Sequence, residues 1–202
     1  MACPEPNPRV SAVRIIAGRL RGLSLATPKD DRIRPTSDRV REALFNVLAH
    51  NDFGVGFRLQ DARVLDLFAG TGALGLEALS RGAAFVMFVD DHFESRGLIR
   101  RNVEAGHATG VTKIWRRDAA ALGEMPANAN GPFDLVFLDP PYRQGLADRA
   151  LGGLVDGAWL APQCLVIAET AADERLVPPV SLSLVDERIY GDTLVRFLVK
   201  RS

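Results

Sequence analysis

Apolar positions along this chain change spacing twice, and each regime predicts a different kind of element. In the middle, short continuous apolar runs alternate with stretches of helical periodicity. Arg63-Val-Leu-Asp-Leu-Phe68, Phe85–Val89, Val111–Arg116, Phe133–Leu138 and Cys164–Ala168 predict strands. A glycine-rich turn leading into a helix through Arg81, and the stretches 91–106 and 144–157, predict the helices between them. Near-continuous apolar strands separated by helices imply a parallel sheet buried on both faces. After residue 181 the pattern becomes purely strand-like. Leu182–Ile189 and Leu194–Val199 are joined at Tyr190-Gly-Asp-Thr193 with no helix between them, which predicts an antiparallel hairpin on the sheet edge. Ahead of the alternating region, Val13–Leu25 reads as two short strands around Gly18–Gly22 with arginines at the turn. A polar connection (Pro28 to Pro35) then leads to a helix that Thr36 or Ser37 can cap, with Val40, Leu44, Val47 and Leu48 on one face, and Gly54 and Gly56 end that unit. The predicted architecture is α/β: a doubly wound, mostly parallel, Rossmann-like seven-stranded sheet with a C-terminal antiparallel hairpin and a small N-terminal hairpin-and-helix extension. The expected organisation is a disordered tail over 1–12, the extension over 13–56 and the main domain over 57–202.

Composition agrees with one domain. The 202 residues are 47% apolar and 25% charged, enough to close a core. No apolar run approaches the roughly 18 residues of a membrane span, and Met1–Asn7 carries breakers rather than a signal-peptide core, so a cytoplasmic protein without membrane partners is expected. Cys3 and Cys164 suggest no redox pair, Cys164 reading as a small hydrophobe in a buried strand. His50, His92 and His107 share no ligand spacing, so no metal is expected. The net charge of zero hides an asymmetry. Residues 9–41 hold nine Arg or Lys against three Asp, a local charge of +6 that the remainder balances with −6. Such a basic end suits an anionic partner or, equally, a solvated arginine-rich face.

Two motifs carry chemistry. The first strand runs into Asp66-Leu-Phe-Ala-Gly-Thr-Gly-Ala-Leu-Gly75, where glycines let the backbone approach a ligand at a helix N-terminus. The same glycines satisfy a dinucleotide-binding pattern, so an NAD-linked oxidoreductase is an alternative. Asp66 at the strand end disfavours a pyrophosphate and suits an ammonium-bearing ligand such as S-adenosylmethionine. Phe68, Ala69, Gly70, Thr71 and Gly72 form the turn itself. Asp90 ends the second strand, 18 residues beyond Gly72, where an acid can accept both ribose hydroxyls; the adjacent Asp91 is expected to point elsewhere. Asp118, followed by Ala119, comes after the third strand and could take an adenine amino group, or could serve only as a turn residue.

The second motif, Asp139-Pro-Pro-Tyr142, follows the fourth strand immediately. An aromatic exocyclic amine is a poor nucleophile because its lone pair is delocalised into the ring. The Asp139 carboxylate and the Pro140 carbonyl can accept its two N–H bonds, localising the lone pair and offering a sink for the leaving proton. Pro140 and Pro141 hold the carbonyls rigidly aimed, and Tyr142 offers a face for an unstacked base. These residues predict methylation of a planar amine.

Assembled, these features resemble the bacterial RsmD family of 16S rRNA guanine-2-amino methyltransferases, over about Arg14 to Val199. The resemblance is carried by Arg14-Ile-Ile-Ala-Gly-Arg19, Arg34-Pro-Thr-Ser-Asp-Arg-Val-Arg-Glu-Ala-Leu-Phe-Asn46, the stretch from Asp66 to Ala83 and Asp139–Tyr142, with Tyr190-Gly-Asp-Thr193 similar to the family's final hairpin. It implies a class I methyltransferase fold, S-adenosyl-L-methionine as donor with S-adenosyl-L-homocysteine as product, and 16S rRNA as partner, free or in a small-subunit particle. It further implies Asp66, Gly70, Gly72, Asp90 and Asp118 around the cofactor and Asp139, Pro140, Pro141 and Tyr142 around the base. Asp90 departs from a family preference for Glu, and the Lys29-Asp-Asp31 turn has no assigned role. On this resemblance the basic segment contacts RNA phosphates, with Arg19, Arg21, Arg32 and Arg34 as contributors. Arg39 and Arg41 are expected to pair within their helix, with Glu42 as a neighbour. The chain is expected to be monomeric. The alternatives are an adenine or glutamine-amide acceptor, and a non-catalytic S-adenosylmethionine-binding ribosome assembly factor.

Overall fold

The computed structural model describes residues 13–28 and 38–201. Its elements, in chain order, are α1 (Asp38–His50), β1 (Arg63–Leu67), α2 (Ala73–Ser80), β2 (Phe85–Val89), α3 (Phe93–Ala105), β3 (Thr112–Trp115), β4 (Phe133–Leu138), α4 (Leu146–Asp156), β5 (Leu160–Ala171), β6 (Leu182–Tyr190) and β7 (Thr193–Lys200). The seven strands form one sheet in the order β3-β2-β1-β4-β5-β7-β6. The first five pair in parallel, while β7 runs antiparallel between β5 and β6. The doubly wound sheet with its terminal hairpin is therefore as expected, and the strand order reverses between β1 and β4, where open α/β sheets bind ligands.

Alternation along the strands explains two cores rather than one. Val64, Val86, Leu135 and Ile167 face a layer built by α1, α2 and α3. Leu65, Leu67, Met87, Val136 and Val166 face α4 and Trp159. Val13, Ile15 and Leu25 belong to the first of these cores, so the N-terminal segment is packed onto the main sheet layer by its own apolar residues.

Three local details differ from the expectations. The segment Val13–Leu25 does fold back on itself, with Ile15 N–H donating to Leu23 O (3.0 Å), Gly22 N–H to Ile15 O (2.9 Å) and Leu25 N–H to Val13 O (2.8 Å). Only Arg14 and Ser24 form a strand-type bridge. β5 begins at Leu160 and continues to Ala171, well beyond Cys164–Ala168, because its polar residues Glu169 and Thr170 are paired to β7 and buried. Arg41 pairs within its helix, as expected, but its partner is Asp38, three residues back, rather than Glu42. It is fully buried, donates to Asp38 Oδ1 at 2.8 Å and to Arg14 O at 2.5 Å, and lies 3.9 Å from the buried Glu77. Position 41 falls on the Leu44–Phe45–Leu48 face, so the side chain enters the core and its charge needs buried partners.

Candidate active site

The turn after β1 is left-handed at three places in five residues: Phe68 (φ 56°), Gly70 (φ 56°) and Gly72 (φ 78°). Two carboxylates hold it. Asp66 Oδ2 accepts the Gly75 N–H at 2.9 Å, tying β1 to the first turn of α2, and Asp90 Oδ2 accepts the Gly70 N–H at 2.9 Å. The Ala69 carbonyl receives the Gly72 N–H at 2.7 Å, closing the loop. Gly75 has a separate purpose: a Cβ there would lie 2.4 Å from the Phe88 ring, so only glycine lets α2 sit this close to β2.

Asp66 is 2% exposed, and burial pushes its carboxyl up to about 8 against the opposing Gly75 hydrogen bond; the nearby Asp90 adds to the rise. Burial also raises the Asp90 carboxyl, partly offset by the Gly70 and His92 N–H groups. Burial thus shifts both acids, at the carboxyl edge of adjacent strands, in the direction of their neutral forms. A ligand bringing an ammonium group and hydroxyl donors would favour their charged forms, which is the chemistry of S-adenosylmethionine and not of a pyrophosphate. Asp91 is exposed beside Asp90, as alternation predicted.

Asp118 closes the turn that follows β3. It is exposed and its Oδ1 accepts the Ala120 N–H at 2.8 Å, an Asx turn that buries Ala119 below it. Among the described residues, no group of three or more His, Cys, Asp or Glu is arranged to hold a metal ion, and no helix is long and apolar enough to cross a membrane.

Asp139 follows β4 at the same edge, partly exposed, with Pro140 buried beneath it. Tyr142 turns toward the next strands. Its hydroxyl donates to Glu169 Oε1 at 2.6 Å and lies 3.0 Å from Thr193 Oγ1. Burial and the Glu169 carboxylate push its ionisation well above the ordinary tyrosine range, so Tyr142 is a neutral ring at all physiological pH. The site therefore joins Asp66, the 68–72 turn and Asp90 with Asp139–Tyr142 along one sheet edge.

Arg19 and Arg21 lie elsewhere. Both are exposed, but their turn docks on the carboxyl end of α2, where Arg19 N–H donates to Ser80 O at 2.8 Å and Leu20 N–H to Ser80 Oγ at 2.9 Å. The glycine turn is at the other end of that helix, roughly 12 Å away at 1.5 Å per residue. Arg32 and Arg34, and the Thr36 or Ser37 cap, lie outside the described residues, as does the 1–12 tail.

Several residues that build this arrangement were invisible to motif reasoning. Glu77, fully buried, accepts the Ile16 N–H at 2.7 Å, the Ala17 N–H at 3.1 Å and Arg81 Nε at 2.7 Å. Asn102, 1% exposed, accepts the Ala26 N–H and donates to both Ala26 O and Thr71 O. Asn102 did carry a signal, since it shares the helical face of Leu98, Ile99 and Val103. Glu77 sits in an otherwise apolar helix, where a buried acid demands cationic or N–H partners.

A family model described as "Conserved hypothetical protein 95" matches residues 13–199. The chain is 39% identical over 197 residues to ribosomal RNA small subunit methyltransferase D of Escherichia coli (strain K12), covering 95% of this chain and 92% of that protein. It is 35% identical to the protein of the same name from Haemophilus influenzae, over 92% of each. Among solved structures, the Escherichia coli protein yhhF superposes with a TM-score of 0.77 at 35% identity, covering 94% of this chain and 98% of that one. TrmN from Thermus thermophilus, at 24% identity and a TM-score of 0.61, covers 80% of this chain and 48% of that one and shares the fold alone.

Proposed function

The chain belongs to the RsmD family of methyltransferases, matched as conserved hypothetical protein 95 over residues 13–199, and from that premise we propose that it methylates the exocyclic 2-amino group of a guanine in 16S ribosomal RNA. The observation that carries the reading is Asp139-Pro-Pro-Tyr142 at the end of β4, on the same sheet edge as the Asp66–Gly72 turn and Asp90. The names of the relatives support ribosomal RNA as the acceptor class. Guanine and its 2-amino group rest on the family resemblance of the Arg34–Asn46 segment.

S-adenosyl-L-methionine, when bound, supplies an electrophilic methyl on a sulfonium and leaves as S-adenosyl-L-homocysteine. The residues of this chain do the rest. Asp90 offers acceptor lone pairs to hydroxyl donors while bracing the glycine turn through Gly70, and Asp66, behind that turn, takes up its negative charge as an ammonium group approaches. Asp139 accepts one N–H of the acceptor amine and the Pro140 carbonyl the other, turning the nitrogen lone pair toward the methyl. As the new N–C bond forms, the amine sheds a proton toward Asp139 and on to solvent. Tyr142 supports the plane of the unstacked base. Arg19, Arg21, Arg32 and Arg34 serve RNA phosphates, and the exposed Arg19 and Arg21 do so away from the base, on the turn docked at the carboxyl end of α2. A cytoplasmic monomer is part of the same proposal.

The test is product identity. The protein is incubated with a methyl-labelled donor and undermethylated small-subunit RNA, free and in assembled subunits, and the RNA is digested to nucleosides. Label in N2-methylguanosine is the expected result. Label in N6-methyladenosine, or in no nucleoside with either substrate, overturns the proposal.

A further inference from the structure

Tyr142 is anchored by two groups far from it in sequence, Glu169 on β5 and Thr193 at the start of β7. β4 and β5 pair in parallel with Leu138 opposite Ala168, so the next residues, Asp139 and Glu169, emerge side by side on one face of the carboxyl edge, about 4.8 Å apart along the sheet. Glu169 is 8% exposed and Thr193, at the start of β7, is 9% exposed. A carboxylate only accepts, so the Tyr142 hydroxyl proton points at Glu169 and the phenolic oxygen is left to receive the Thr193 hydroxyl. The resulting chain, Thr193 to Tyr142 to Glu169, ties a ring in a loop to two paired strands. A ring held only by its own side-chain torsions could swing; one bonded at its far end to β5 and β7 has a fixed plane.

We propose that Glu169 is a positioning residue for methyl transfer: held on β5 beside Asp139, it fixes through the Tyr142 hydroxyl the ring plane against which the acceptor base lies, with Thr193 as the second anchor. This rests on the reading of Asp139–Tyr142 as the base-holding segment. It gives the C-terminal hairpin a function, since its first residue on β7 becomes part of the wall of the acceptor site. It also explains an acid at a nearly buried position, where a charged acceptor makes a stronger bond to a hydroxyl than an amide would. A base displaced by a fraction of an ångström takes its amine out of line with the methyl, and such misplacement is expensive in rate.

The experiment uses the full chain and the small-subunit substrate, with Glu169→Gln, Thr193→Val, Tyr142→Phe and the Glu169→Gln/Tyr142→Phe double variant. Glu169→Gln is expected to lower kcat about tenfold, with cofactor affinity within about twofold of the parent. Thr193→Val is expected to act in the same direction more weakly. Because Glu169 acts through the Tyr142 hydroxyl, the double variant should be no slower than Tyr142→Phe alone. Undiminished kcat in Glu169→Gln, or losses that multiply in the double variant, would overturn the proposal. A second readout is independent of turnover. In alkaline absorbance titration Glu169→Gln should lower the pH at which Tyr142 ionises, since Glu169 is one of the groups that raise it, while circular dichroism stays native. An unchanged titration also overturns it. Full activity in Asp139→Ala would remove the base-holding reading and this inference with it. An inactive Asp139→Ala beside a fully active Glu169→Gln would remove the inference alone.

Discussion

Asn102 pairs with Ala26 as a strand residue would, its Oδ1 accepting the Ala26 N–H at 2.7 Å and its Nδ2 donating to the Ala26 carbonyl at 3.1 Å. The same Nδ2 donates to Thr71 O at 2.9 Å inside the glycine turn. One side chain on α3 thus joins the N-terminal segment to the glycine turn after β1. Asn102→Ala leaves three backbone groups without their partner and should cost about 1–3 kcal/mol in urea unfolding. It should also weaken cofactor binding, measured by calorimetry, because the Thr71 peptide loses its support. Asn102→Asp keeps the acceptor and loses both donors, so it should weaken cofactor binding as well.

Gly18 and Gly22 share a left-handed backbone (φ 82° and 85°) but differ in surroundings. A Cβ on Gly18 would stand 1.8 Å from Ser80 O, whereas one on Gly22 would meet nothing within 4 Å. Gly22→Ala should therefore cost only the conformational penalty, about 1 kcal/mol. Gly18→Ala should cost more than about 2 kcal/mol and lift the turn off α2. Limited proteolysis between residues 17 and 23 would distinguish them, with faster cleavage in Gly18→Ala only.

Glu77 is a hub with no exposed surface, accepting two N–H groups of the N-terminal segment and paired with Arg81 and, at 3.9 Å, Arg41. Glu77→Ala takes the acceptor from the Ile16 and Ala17 N–H groups and from Arg81, and the buried counter-charge from Arg41, and should cost about 3–5 kcal/mol. The exposed pair Arg143–Asp173, with side chains 65% and 70% accessible, is the contrast: Asp173→Ala should change stability by less than about 1 kcal/mol. Equal losses in the two variants would contradict the assignment of Glu77 as the hub.

Asp66 makes stability depend on pH with a definite sign. Its folded-state carboxyl, at about 8, lies above the ordinary 3.8. Between these values the folded protein binds the extra proton, so stability is greatest at the acid end and falls as pH rises toward 8. Asp90 shifts in the same direction. Asp66→Asn, which keeps an oxygen for the Gly75 N–H, should flatten the melting-temperature profile across that window. Ligand binding that favours the ionised acid should release protons, so cofactor affinity should rise with pH in the parent and less so in Asp66→Asn.

Most of the frame was legible because it is written in apolar periodicity. The continuous runs of β1, β2 and β4 and the helix-free hairpin of β6 and β7 predicted the sheet, and the glycine turn and Asp139–Tyr142 fell at strand ends where open sheets bind ligands. What stayed hidden is polar chemistry on apolar faces. Arg41, Glu77 and Asn102 each occupy a core-facing helical position, and their partners are backbone groups some 27 to 76 residues away. Pattern alone cannot pair such residues. Glu169 lies just past the apolar run that predicts β5, so apolarity alone ends the strand one residue short of it. Charge was the least informative signal. The arginines at the first turn are exposed as expected, yet they stand at the far end of α2 from the crevice.

The central claim is that Asp139 accepts the amine of a ribosomal guanine as it is methylated. The direct measurement compares Asp139→Ala with the parent on undermethylated small subunits, reading N2-methylguanosine by mass and cofactor affinity by calorimetry on the same preparations. In Asp139→Ala, N2-methylguanosine should fall below detection while cofactor affinity stays within a few-fold. N2-methylguanosine formed by Asp139→Ala at the parent's rate would contradict it.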